Sequence, residues 1–112
     1  MEKNIVIDGK EYRLVTNGAT PRLYRSLFRK EVFTEMTHAM EEKGDGFEVI
    51  NAEVFENLAF TMAIQGGSLP MATKIEDWLG SMSSPTAIIQ VAGEILELWT
   101  EETETTSVGK KE

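Results

Sequence analysis

The sequence predicts an α+β fold that is mainly α: an N-terminal β-hairpin packed on a bundle of four or five short helices. Three observations predict it. β-branched and aromatic residues flank an Asp8-Gly9 turn near the start. Apolar residues then recur at spacings of three and four along most of the chain. Glycine and proline clusters cut that helical pattern into short pieces. The chain has 112 residues, of which 41% are hydrophobic and 8% aromatic, so one domain with one modest core is expected.

The hairpin is read over residues 4–16. Ile5-Val6-Ile7 forms the first strand, and Asp8-Gly9 turns the chain because glycine takes positive φ without steric cost. The second strand, Tyr12 to Thr16, places Tyr12, Leu14 and Thr16 on one face. A lone hairpin is marginal in water, so it must pack on helices or pair with another strand.

Asn17-Gly18 ends the strand, and Thr20-Pro21 reads as a helix start with threonine as the cap. Leu23, Tyr24, Leu27, Phe28, Val32, Phe33, Met36, Ala39 and Met40 follow at helical spacing. Residues 21–42 fit one helix, or two with a break near Arg29-Lys30-Glu31; both readings stand. Gly44-Asp45-Gly46 marks a loop. Asn51 caps a helix that buries Phe55, Leu58, Ala59, Met62 and Ala63, and Gly66-Gly67-Ser68-Leu69-Pro70 terminates it. A shorter helix over 74–82 carries Ile75, Trp78, Leu79 and Met82. From Ser84 to Glu102 the chain reads as one acidic amphipathic helix, with Ser84 as cap and Ile88, Val91, Ala92, Ile95, Leu96, Leu98 and Trp99 apolar. The domain is therefore placed at 1–102 and a polar tail at 103–112.

Charge and composition narrow the function. The net charge of −8 repels a phosphate backbone, so no nucleic-acid partner is expected. No run approaches the ~20 apolar residues of a membrane span, and no signal peptide is expected, because Met1-Glu2-Lys3-Asn4 leads into a strand-like run and not a long apolar segment. With no cysteine, disulfides and thiolate metal sites are excluded. Arg22, Arg25, Arg29 and Lys30 cluster on the helix side opposite Leu23, Leu27 and Phe28. That is either a solvated face or a small basic patch for an acidic partner surface.

Catalytic constellations are missing. His38 is the single histidine, placed by the helical reading between Glu35 and Glu42, which is weak ligation for a metal. A Ser/His/Asp arrangement would need that same histidine. The pairs Glu41-Glu42, Glu76-Asp77 and Glu101-Glu102 are adjacent in sequence, and adjacent helical residues point ~100° apart, a poor geometry for a carboxylate dyad. The glycine-rich spots lack the lysine and spacing of a phosphate loop. No enzyme activity, cofactor or metal is expected. The six methionines fit core gap-filling or a pliable binding groove. Trp78 and Trp99 fit core or interface anchors.

Nearly the full length resembles the tail assembly chaperones of long-tailed bacteriophages and prophages of Gram-positive bacteria. The resemblance is carried, in order, by Ile7-Asp8-Gly9-Lys10-Glu11-Tyr12-Arg13-Leu14 and by Asn17-Gly18-Ala19-Thr20-Pro21-Arg22-Leu23-Tyr24-Arg25. Phe55 to Ala63, Ile75-Glu76-Asp77-Trp78-Leu79, and Glu97-Leu98-Trp99-Thr100-Glu101 before Thr105-Thr106-Ser107 and a lysine pair complete it. Gly66-Gly67 and Gly80 depart from it, standing where longer polar residues are expected.

The resemblance implies a non-catalytic protein of the bacterial host cytoplasm that is left out of the mature virion. It would bind the tape measure protein, keep its long helices soluble and assist tail tube assembly, self-associating as a homo-oligomer. It also implies a longer product, made by ribosomal frameshifting near Val108-Gly109-Lys110, whose added part recruits tail tube protein. Phe28, Phe33, Met36 and Trp99 are the expected partner or self contacts, chosen from amphipathicity. A small acidic adaptor or regulatory protein-binding domain is the alternative reading.

Overall fold

A computed structural model describes residues 1–100. The boundary expected at 102 and the polar tail after it lie outside the described residues.

Strands β1 (Glu2–Ile7) and β2 (Lys10–Val15) form the expected antiparallel hairpin, with Ile5 opposite Tyr12 and Ile7 opposite Lys10. Asp8 and Gly9 both take positive φ, 56° and 81°, the two-residue turn whose twist matches that of the strands. Alternation then puts Ile5, Ile7, Tyr12 and Leu14 into the core. The turn is tied to the far end of the chain: the Asp8 carboxylate accepts from the Ser83 N–H at 3.1 Å and from the Ser83 hydroxyl.

The stretch 21–42 resolves into three elements. Helix α1 (Thr20–Phe28) stops where Arg29 adopts a left-handed φ of 60°. Helix α2 (Val32–Thr37) follows, and Met40 belongs to a strand. Thr20 is not the cap of α1. Its hydroxyl accepts the Asn17 N–H at 2.9 Å and bonds to Gln65, while Asn17 Oδ1 accepts the Ala19 N–H at 2.8 Å. Asparagine thus closes the turn that starts the helix.

The expected loop at Gly44-Asp45-Gly46 is the tip of a second hairpin. Strands β3 (Met40–Lys43) and β4 (Gly46–Val49) pair antiparallel, with Lys43 opposite Gly46 and Gly44 at φ 56°. Phe47 and Val49 are half-buried against the core, and Phe47 stacks on Phe55 at 6.1 Å.

Helix α3 (Ala52–Gln65) is the centre of the domain. Asn51 caps it as expected, its Oδ1 accepting the Glu53 N–H at 3.0 Å. Burial goes further than one face: all residues from 54 to 64 except Glu56 are buried. The reason is that β2, α1, α2 and the segment around 89–91 all pack on this helix. The polar members are Asn57 and Thr61, and the Thr61 hydroxyl donates to the Asn57 carbonyl at 2.8 Å.

After α3 the chain doubles back past β2. A Cβ added to Gly66 would lie 2.0 Å from the Arg13 carbonyl oxygen, so the backbones meet at a distance only glycine allows. This explains the glycine at a position where a longer residue is expected. Helix α4 (Ile75–Gly80) buries Trp78, which meets Tyr12 edge-on at 5.6 Å and Phe60 at 5.7 Å. The last segment is not one helix from Ser84. The Ser84 hydroxyl accepts the Thr86 N–H at 3.1 Å, turns follow, and Ile89–Val91 is a 3-10 turn. Regular helix α5 occupies residues 92–100 and buries Ala92, Ile95 and Leu98. No helix among the described residues is long and apolar enough to cross a membrane.

Candidate functional site

The four residues expected at a contact surface separate into distinct environments. Phe33 and Trp99 come together, with ring centroids 5.5 Å apart and planes tilted by 46°. Phe33 is 57% exposed, whereas Trp99 is half-buried on the core. Helix α2 points Val32 and Met36 inward, one turn apart, and leaves Phe33 outward. Helix α5 brings Trp99 beneath it. Met36 is 7% exposed and offers no surface to a partner in this conformation. Phe28 lies on the other side, half-buried against Tyr24 at 5.2 Å and Phe60 at 6.1 Å.

The basic strip precedes Phe33 in the chain. Arg22, Arg25, Arg29 and Lys30 are all exposed. None forms an ion pair with a described carboxylate. Two lysines elsewhere are matched: Lys3 lies 2.9 Å from Glu97, and Lys43 lies 3.3 Å from Glu48. The left-handed Arg29 turns the chain so that the strip ends three residues before Phe33.

The methionines do not converge on one groove. Met36 and Met62 are in the core, Met40 and Met82 line separate hollows, and Met71 is 66% exposed elsewhere. The first hollow, of about 200 Å³, is lined by Glu56, Leu79, Met82, Pro85 and Ile88 among others. Burial, followed by the nearby Glu53 charge, raises the Glu56 carboxyl above the ordinary range. No second titratable side chain lines that hollow, so it holds no acid–base pair. The second hollow, of about 290 Å³, lies between the tip of the second hairpin and Leu96.

His38 follows α2, and Glu42 stands on β3, so the helical Glu35-His38-Glu42 spacing does not exist. Among the described residues no group of three or more His, Asp or Glu could hold a metal ion. The buried Tyr24 hydroxyl has no hydrogen-bond partner; burial pushes its pKa up to about 12, opposed in part by the nearby Asn57 side chain.

The second hairpin escaped the sequence reading. Its signal was the alternation of Phe47 and Val49 with Glu48 and Ile50 beside a Gly-Asp-Gly turn. No protein-family model, curated protein or solved structure matches this chain.

Proposed function

We propose that this chain is a non-catalytic tail assembly chaperone of a long-tailed bacteriophage or prophage. It binds and solubilises the tape measure protein and assists tail tube assembly in the bacterial host cytoplasm, without entering the mature virion. The ordered segments that resemble that family support this reading. The structural observation that carries it is Phe33, a large aromatic standing 57% exposed on Trp99. An exposed aromatic packed on a second aromatic fits an anchor for an apolar helix. The uncompensated charge keeps such a complex in solution.

Co-expression with a tape measure protein tests the proposal. The wild-type chain should raise its soluble yield and co-purify with it, and Phe33→Ser should lose both effects. An unchanged soluble yield with no co-purification would sink the reading. It would favour instead a small acidic adaptor with an unrelated partner. The longer product, which would bring in tail tube protein, requires a slippery run such as G-GGA-AAA at codons 108–110 and an overlapping frame behind it. A gene without either excludes that form.

A further inference from the structure

In a chain of net charge −8, Arg22, Arg25, Arg29 and Lys30 concentrate positive charge within nine residues, all exposed and none paired with a described carboxylate. Arg22 and Arg25 lie one turn apart on α1, Arg29 follows at the left-handed end of that helix, and Lys30 comes next. Phe33 follows Lys30 by three residues at the start of α2, exposed, with Trp99 against it. We infer that this basic row and Phe33 form one docking surface for an acidic amphipathic helix of a partner protein.

Charge complementarity selects that occupant. A helix with carboxylates one turn apart matches the spacing of Arg22 and Arg25 on α1 and brings further acids within reach of Arg29 and Lys30. Guanidinium takes carboxylate through two parallel hydrogen bonds, which favours arginine over a bare positive charge in this role. An apolar residue on the same partner helix would cover Phe33, supplying the desolvated centre that exposed ion pairs lack. A basic or neutral helix would leave the row unmatched. The inference does not require the tail-assembly reading, because a peptide of this chemistry binds whatever the natural partner is.

The test uses the full chain and two fluorescein-labelled helical peptides with the same apolar stripe, one bearing glutamates at the matching positions and one bearing lysines. Fluorescence anisotropy should show the acidic peptide binding at least about tenfold tighter, and its affinity should fall between ~50 and ~300 mM salt. Arg25→Glu with Arg29→Glu should abolish that preference. Lys10→Glu with Lys74→Glu, an equal charge change elsewhere, should leave affinity within about threefold. The decisive arm is the exchange: the lysine peptide should bind the Arg25→Glu, Arg29→Glu protein. Circular dichroism establishes that each variant is folded.

Equal binding of the two peptides, equal loss from both charge reversals, or failure of the exchange would overturn the inference. So would either alternative occupant. If Glu101→Gln, Glu102→Gln and Glu104→Gln together raise peptide affinity about tenfold, the chain's own acidic segment holds the row. If sedimentation shows self-association that Arg25→Glu with Arg29→Glu removes, a second copy holds it.

Discussion

Ser68 holds both backbone groups of Arg13 at once: its hydroxyl accepts the Arg13 N–H at 2.7 Å and donates to the Arg13 carbonyl at 3.0 Å. One side chain thereby stands where a neighbouring strand would be, on the outer side of β2. Ser68→Ala removes both bonds and is expected to cost about 1 kcal/mol. Gly66→Ala drives a Cβ into the same carbonyl, 2.0 Å away, and is expected to cost about 2–3 kcal/mol. Gly93→Ala, on α5 with nothing within 4 Å of the added carbon, should instead stabilise by about 0.5–1 kcal/mol. Thermal unfolding of the three variants checks the order, at about 4–8 °C per kcal/mol for a domain of this size.

Tyr24 predicts an alkaline limit. Its hydroxyl is raised from 10.0 to about 12 by burial, so folding favours the neutral form. The contribution is fully present below pH 10 and is lost as pH rises through about 12. Tyr24→Phe should remove that loss. At pH 7 it should be nearly neutral, because the hydroxyl it deletes is buried without a partner. Urea unfolding of both proteins between pH 7 and 11.5 measures the difference; parallel curves would refute the assignment.

At the acid end the sign reverses. Asp8 is held below the ordinary carboxylate range by the Ser83 hydroxyl and backbone N–H. Its contribution is present above the unfolded value and is lost as pH falls through the folded one. Glu97 behaves alike, lowered by the hydrogen bond and charge of Lys3. NMR titration of the side-chain carboxyl carbons should place Asp8 below 3.8, and Ser83→Ala should move its midpoint up. No movement would mean that the turn is not clamped to residue 83 in solution.

Phe28 and Phe33 should part company on substitution. Phe28→Ala opens the contact with Tyr24 and Phe60 and is expected to cost about 3 kcal/mol. Phe33→Ala removes a largely solvated ring and should cost under about 1 kcal/mol. Tryptophan fluorescence should nevertheless change in Phe33→Ala, because Trp99 loses the ring at 5.5 Å. Denaturant unfolding and emission spectra together separate the core aromatic from the surface one.

The first hairpin was legible because its turn chemistry and its alternation fall within the same few residues and agree. The second hairpin was masked by coincidence. Val32, Met36, Ala39 and Met40 keep spacings of three and four across the end of α2, so the helical pattern runs on after the helix has stopped. Nothing local separates the 84–91 turns from helix, since Ala87, Ile88 and Val91 fit either conformation. The site was half readable. Amphipathicity nominated Phe33, Met36 and Trp99 alike, but only tertiary packing turns Met36 inward and brings Phe33 to a ring 66 positions away in the chain.

The Ser68 clamp also gives the N-terminal sheet a direction. On the β2 side an arriving strand would have to expel a hydroxyl and a loop already bonded to Arg13. On the β1 side the outward backbone groups of Glu2, Asn4 and Val6 form no backbone hydrogen bond with a described residue. A two-stranded sheet blocked on one flank can pair its free edge with a two-fold copy of itself, and the four-stranded sheet so formed is blocked on both flanks.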